Sequence, residues 1–224
     1  MSNAAQSYTG TGVHQRALSS MLALIEQHIV TPPTLEDVAR DSGIPLQELQ
    51  AIFPDTHAAL VALAEDSLMR LVDGCTKAVV MIDPNDAMAQ FGALGEAYVM
   101  WAYENPVQFR LMSNTKVLDT SQNPQLDRYF QSVRDLMVRM LERARDAGLL
   151  HPDENIPQLA LTSRIYAYGV ARMIVDDRMR EWDDGRDQME AARASIKDFL
   201  QRIARGSRAP NGVRRPEENL SRPA

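Results

Sequence analysis

The chain has one cysteine, Cys75, among 224 residues, so it cannot build an internal disulfide framework or a paired-cysteine metal site. Histidine is also scarce: His14, His28, His57 and His151 are scattered without ligand spacing. There is no glycine-rich phosphate loop, no paired-histidine zinc helix and no nucleophile elbow. The chain is therefore expected not to be an enzyme, with no catalytic residues, no metal and no cofactor. No apolar run approaches the ~18 residues of a membrane span. The first 13 residues lack the basic start and apolar stretch of a secretory signal. A cytoplasmic protein with no membrane partner is expected. Positive charge is short as well: the net charge of -6 gives no global field toward nucleic acid or an anionic membrane. Strand alternation is missing too, since the apolar stretch Val79 to Ile82 is too short and isolated to argue for a sheet.

What is present is helical. The hydrophobic content is 45% and the aromatic content only 6%, so the core is built mainly from Leu, Ala, Val, Ile and Met. The length suits one large helical domain or a small domain joined to a larger one. Leu18, Leu22, Ile25 and Ile29 make one amphipathic stripe, which Pro32 and Pro33 stop. Thr34 can cap the next helix with Asp37 as its capping-box partner, and Leu35, Val38 and Ala39 face inward. Ser42-Gly43 breaks this helix and Pro45 suits the opening of the following one, whose buried face is read as Leu49, Ile52 and Phe53.

Asp55 or Thr56 caps a long helix to about Val80, and Asp83 to Asp86 form a turn with its own cap. Helices follow over about 87–104, 107–114, 124–147, 156–177 and 186–205, with Gly148 ending the third of these and Leu149 and Leu150 folding back over it. The last carries apolar residues at Met189, Ala192, Ile196, Phe199 and Ile203. Residues 1–13 read as a flexible arm, 14–60 as a head, 61–205 as a body and 206–224 as a disordered tail.

Val38-Ala39, Gly43-Ile44, Leu49, Phe53-Pro54 and Leu60 occupy the framework positions of a helix-turn-helix, and here the chain resembles the TetR family of transcriptional regulators. The stretch from Leu94 to Met112, with Asn105-Pro106 and Phe109-Arg110-Leu111-Met112, resembles one C-terminal class of that family, the WHG type. The resemblance implies an all-α fold. A three-helix DNA-binding domain is joined through a long helix to a helical domain that binds a ligand and dimerises. It also implies a one-component regulator, expected to be a repressor, that binds a palindromic operator in double-stranded DNA as a homodimer. A small-molecule effector would tilt the long helix and change the spacing of the two recognition helices. The dimer would form through the helices at about 156–177 and 186–205, where Gly169 and Ala171 allow close approach.

The departures fall on the DNA side. Leu46 stands where the family usually has Lys, Gln50 where it has Tyr, Ile52 where it has Tyr or His, and Thr56 where it has Lys. Over residues 1–60, two basic residues (Arg16, Arg40) against six acidic ones (Glu26, Glu36, Asp37, Asp41, Glu48, Asp55) give a charge of -4. Lysine and arginine at phosphates supply most non-specific affinity, so such a head must use hydroxyls, amides and backbone donors. The candidate DNA contacts are Arg16, Thr34, Leu46, Gln47, Glu48, Gln50 and Thr56. Gln47 or Gln50 can pair with adenine, and Glu48 can accept from cytosine. The alternative is a TetR fold whose acidic head has left DNA for protein–protein contacts.

The candidate ligand residues are Tyr98, Trp101, Met112, Phe130, Met137, Arg164 and Tyr168, with ordinary core as the other reading of the apolar ones. In the penultimate helix Gly169 is kept, but Tyr168 replaces the class's His and Arg164 its Trp. If Arg164 points inward, an acidic ligand follows; if outward, it is a surface residue. Cys75 is either packing or a redox thiol, the latter needing exposure and a depressed pKa. The carboxylate pairs flanking Trp182 alternate with Arg178, Arg180 and Arg186 and read as a solvated loop.

Overall fold

The computed structural model describes residues 12–27, 32–114, 117–118, 123–183 and 185–207, and among these it is built from helices alone. Most of the arm and the tail expected at the two ends, together with Ile29, lie outside the described residues. The elements are α1 (Val13–Gln27), α2 (Leu35–Ser42), α3 (Leu46–Ile52), α4 (Thr56–Val80), α5 (Ala87–Glu104), α6 (Pro106–Met112), α7 (Pro124–Asp146), α8 (Ile156–Val175) and α9 (Gln188–Ser207), with a 3-10 turn at Met179–Glu181.

Helices α1 to α3 pack on one another, and α1 also packs on α4. The capping box at α2 forms as its sequence predicts: Thr34 Oγ1 accepts from the Asp37 backbone N–H, and Asp37 Oδ2 accepts from the Thr34 N–H. Gly43 ends α2 at φ 68°, a left-handed conformation costly for any residue with a Cβ. Two expectations shift here. The buried face of α1 runs through Ala17, Leu18, Met21 and Leu24, with Leu22 and Ile25 only partly covered on its flank. Small Ala17 and Ser20 let the neighbouring helices approach, and Ser20 Oγ donates to Asp41 Oδ2 at 2.5 Å. Ile52, read as buried, is exposed: Phe53 leaves α3 in an extended conformation and fills the core position beside Leu49 instead, its ring 5.1 Å from that of His14.

Asp55 caps α4 by accepting the Ala58 N–H. Helix α5 is apolar around most of its circumference and sits centrally, packed by α4, α6, α7, α8 and α9. At Gly92 α5 lies close against α9; a Cβ there would lie 2.8 Å from Leu200 Cδ1. Arg143 on α7 donates to Gln90 Oε1 of α5 at 2.9 Å and to the Pro84 carbonyl, fixing the far end of α7. That helix stops at Gly148, φ 72°, where Leu149 N–H returns to the Ala144 carbonyl and Leu150 is buried. Helix α8 ends in the same way with Asp177 at φ 56°, one of the few residue types that tolerate it.

Candidate functional site

Two regions hold the side chains singled out from the sequence. The first is the surface of α2 and α3. Arg16, Thr34, Gln47, Glu48 and Gln50 are exposed, whereas Leu46 and Thr56 are half-buried, Leu46 against the core. Several polar groups here are already engaged. The Thr34 hydroxyl donates to Asp37 Oδ2 at 2.8 Å, so it has no proton left for a phosphate. Arg40 pairs with Asp37 at 3.0 Å. Asp37 therefore sits at the N-terminus of α2. The Thr34 backbone N–H, the Thr34 hydroxyl and then Arg40 hold its carboxyl below the usual aspartate range. Asp55 occupies the start of α4 in the same way. At both helix starts a carboxylate stands where a phosphate oxygen would otherwise be welcome.

The second region is a cavity of about 850 Å³ inside the α4–α9 assembly. Helix α4 contributes Leu68, Leu71 and Cys75; α5 contributes Phe91, Tyr98 and Trp101; α6 contributes Phe109 and Met112. Phe130 and Met137 come from α7, Arg164 and Tyr168 from α8, and Ile196 and Phe199 from α9. Tyr98, Trp101, Met112, Phe130, Met137, Arg164 and Tyr168, far apart in sequence, thus line one space. Exposed lining residues Arg134, Asp135 and Leu161 mark where it opens to solvent.

The polar centre of the cavity is an aromatic stack around one cation. Phe109 lies against Tyr168 at 5.6 Å and edge-on to Tyr98 at 6.4 Å. The Arg164 guanidinium faces the Tyr98 ring at 4.6 Å and the Tyr168 ring at 5.8 Å, a cation–π arrangement. Of the two readings of Arg164, the inward one is the observed one. Burial pushes the Tyr98 hydroxyl pKa up, and the neighbouring arginine partly offsets this.

Phe109 was missed from sequence, although it lies in the quoted Phe-Arg-Leu-Met run, because α6 is too short for its period to tell inner from outer faces. Cys75 was weighed as a redox thiol, and its position excludes that. It is buried and its thiol is pushed up to about 11, so almost no thiolate exists near neutrality. Its role is to line the apolar wall. The carboxylates near Trp182 are tied to arginines, Asp177 to Arg180 at 3.4 Å and Asp176 to Arg172 at 2.6 Å, as a solvated loop requires; Asp184 is outside the described residues. Among the described residues no cluster of His, Cys, Asp and Glu could hold a metal ion.

The cavity also touches the route to the head. Helix α6 carries Phe109 into the stack, while its neighbour Arg110 donates to the Val175 carbonyl at the end of α8 at 2.6 Å. The same short helix packs against α1. Helix α6 thus touches both the aromatic stack and the first helix of the head.

Residues 91–199 match the model of the tetracyclin repressor-like C-terminal domain, a span that includes the α5–α6 stretch and the whole of α8. No curated protein matches significantly. Among solved structures, a protein of unknown function from Rhodococcus sp. RHA1 superimposes with a TM-score of 0.72 at 26% identity, covering 89% of this chain and 99% of that one. A bacterial regulatory protein in the tetR family, also from Rhodococcus RHA1, gives 0.67 at 15% identity, covering 87% and 98%. A ketosteroid transcriptional regulator of Mycobacterium tuberculosis gives 0.64 at 14% identity, covering 89% and 97%. Residues 91–199 thus match a tetracyclin repressor-like C-terminal domain, and behind an N-terminal helix-turn-helix the chain shares the fold of these solved structures.

Proposed function

We propose that the chain is a one-component repressor, active in the cytoplasm, that binds a palindromic operator as a homodimer and responds to a small molecule held in the α4–α9 cavity. In this reading residues 14–60 are the DNA-binding unit and 61–205 the ligand-binding and dimerisation unit. The observation that carries it is the convergence of seven side chains from four helices on one mostly apolar cavity of about 850 Å³, within the size range of small-molecule sites. Its position supports the response: α4 lines the cavity at one end and begins beside α3 at the other. Exposed Leu161 and Ile165 on α8, together with the open space around Gly169, favour a partner helix packing there. Two-fold readers need half-sites about one DNA turn apart, so a small change in α4 is enough to break the fit.

The contacts on DNA would come from Gln47, Gln50 and Glu48 at base edges, and from Arg16, Thr56 and the backbones near Thr34 and Leu46 at phosphates. The test is affinity selection of fragmented genomic DNA on the purified protein, at low and then moderate salt. Enrichment of one palindromic site that survives moderate salt supports the proposal. On that site Gln50→Ala weakens specific binding more than binding to random DNA; equal losses on both would make Gln50 a backbone contact. A second reading, in which the head meets a protein, is favoured by its charge and by the use of Arg40 on Asp37. A folded dimer that enriches no DNA at either salt, with or without cell extract as a source of effector, would favour that reading.

A further inference from the structure

Arg164 is the feature that the apolar character of the cavity does not explain. A half-buried cation in such surroundings needs an anion or a polar cage. Tyrosine faces meet it on α5 and α8, but among the described residues it has no ion pair. The other charged lining residues, Arg134 and Asp135, are exposed at 74% and 58% and lie 4.0 Å from each other, so neither is a buried counter-charge for Arg164. The Tyr98 hydroxyl also engages Arg164, but a guanidinium has five N–H donors, which leaves others to take a carboxylate. Elsewhere the wall, with Phe109, Trp101 and Met137, offers mainly apolar contact and the adaptability of methionine.

We infer that the cavity ligand is an amphiphile with one carboxylate on an apolar body, the carboxylate paired with Arg164 and the body lying among the aromatic and methionine side chains. One cation matches one negative charge; a doubly charged phosphate monoester would be left half-neutralised in a mostly apolar site. This rests on the reading of the cavity as an effector site and narrows its chemistry.

Calorimetric titration of the full-length protein with dodecanoate, dodecan-1-ol and dodecyl phosphate, each below its micellar concentration, tests the inference. Dodecanoate should bind about ten- to hundred-fold more tightly than the alcohol, the size of effect expected from a hydrogen-bonded charge pair, and more tightly than the phosphate. Arg164→Met should abolish that preference, bringing carboxylate and alcohol to similar affinity, and Arg164→Lys should retain part of it. If Arg164→Met fails to fold, Arg164→Gln replaces it, and the wild-type ranking of the three probes stands by itself. Equal binding of carboxylate and alcohol, or a preference that survives loss of the charge, overturns the inference but leaves the cavity as a ligand site. Tightest binding of the phosphate overturns the single-charge assignment. Binding of none of the three overturns the inference and removes support from the effector site as well.

Discussion

The two ends of the molecule handle charge in opposite ways. In the head, the surface expected to face a polyanion is acidic, and polar groups at the start of α2 are bonded to one another over short sequence distances: Thr34 to Asp37 and Arg40 to Asp37. In the body, a cavity walled by aromatic and aliphatic side chains keeps an arginine that has no carboxylate partner among the described residues. A satisfied charge is a poor recruiter of ligands, because any newcomer must first displace its partner. An unsatisfied one is a strong recruiter. The net charge of a region therefore says less about what it binds than whether its charges are already paired.

The largest effects should come from removing matched core residues on either side. Leu49 in the head and Leu141 in the body are both 0% exposed. Leu49→Ala and Leu141→Ala should each cost roughly 2–5 kcal/mol, lowering the melting temperature by about 2–4 °C per kcal/mol. If head and body melt as one unit, both shift a single transition; a separate early transition in Leu49→Ala alone would show that the head opens independently. Next come the two left-handed glycines. Gly43→Ala and Gly148→Ala force a Cβ into positive φ and should each cost roughly 1–2 kcal/mol, read by urea unfolding. No steric neighbour lies within 4 Å of either added Cβ, so the backbone is the sole cause.

The capping box gives a smaller effect with a pH signature. Thr34→Ala should cost about 1 kcal/mol. Because the folded state lowers the Asp37 pKa, its contribution is present above the ordinary value of 3.8 and is lost as pH falls through the folded value. Melting curves of Thr34→Ala should therefore fall less steeply in acid than those of the native protein. A parallel acid limb would mean that other carboxylates dominate. Glu48→Gln should raise affinity for random DNA by a few-fold at low salt if α3 lies near phosphates, with the slope of log affinity against log salt little changed because no new cation is added. The smallest effect is at the fully exposed Arg202–Asp198 pair on α9, where Arg202→Ala should leave the melting temperature unchanged within error.

Much of the fold was legible because its punctuation is local. Thr34 with Asp37, Gly43, Asn105-Pro106 and Gly148-Leu149-Leu150 each act within a few residues, so sequence neighbours carry the whole signal. The phase of α1 was harder. Ala17 and Ser20 are buried by helices that arrive from elsewhere, and a search for large apolar residues passes over them. Ile52 failed for a related reason: the backbone turns extended at Phe53, which stays buried as read while Ile52 is left on the outer side. The cavity residues were reachable as a set through the family resemblance, but the direction of Arg164 was not. That direction depends on Tyr98, 66 positions earlier on a different helix.

The two tryptophans divide the same way as the charges. Trp101 is 8% exposed and lines the cavity, whereas Trp182 is 81% exposed in the loop before α9. Their emission should therefore separate into a blue-shifted component shielded from aqueous iodide and a red-shifted one open to quenching. Replacing Trp182 with Phe would leave a single indole against the cavity wall. The protein would then report the filling of its own interior through one optical signal, without any added label.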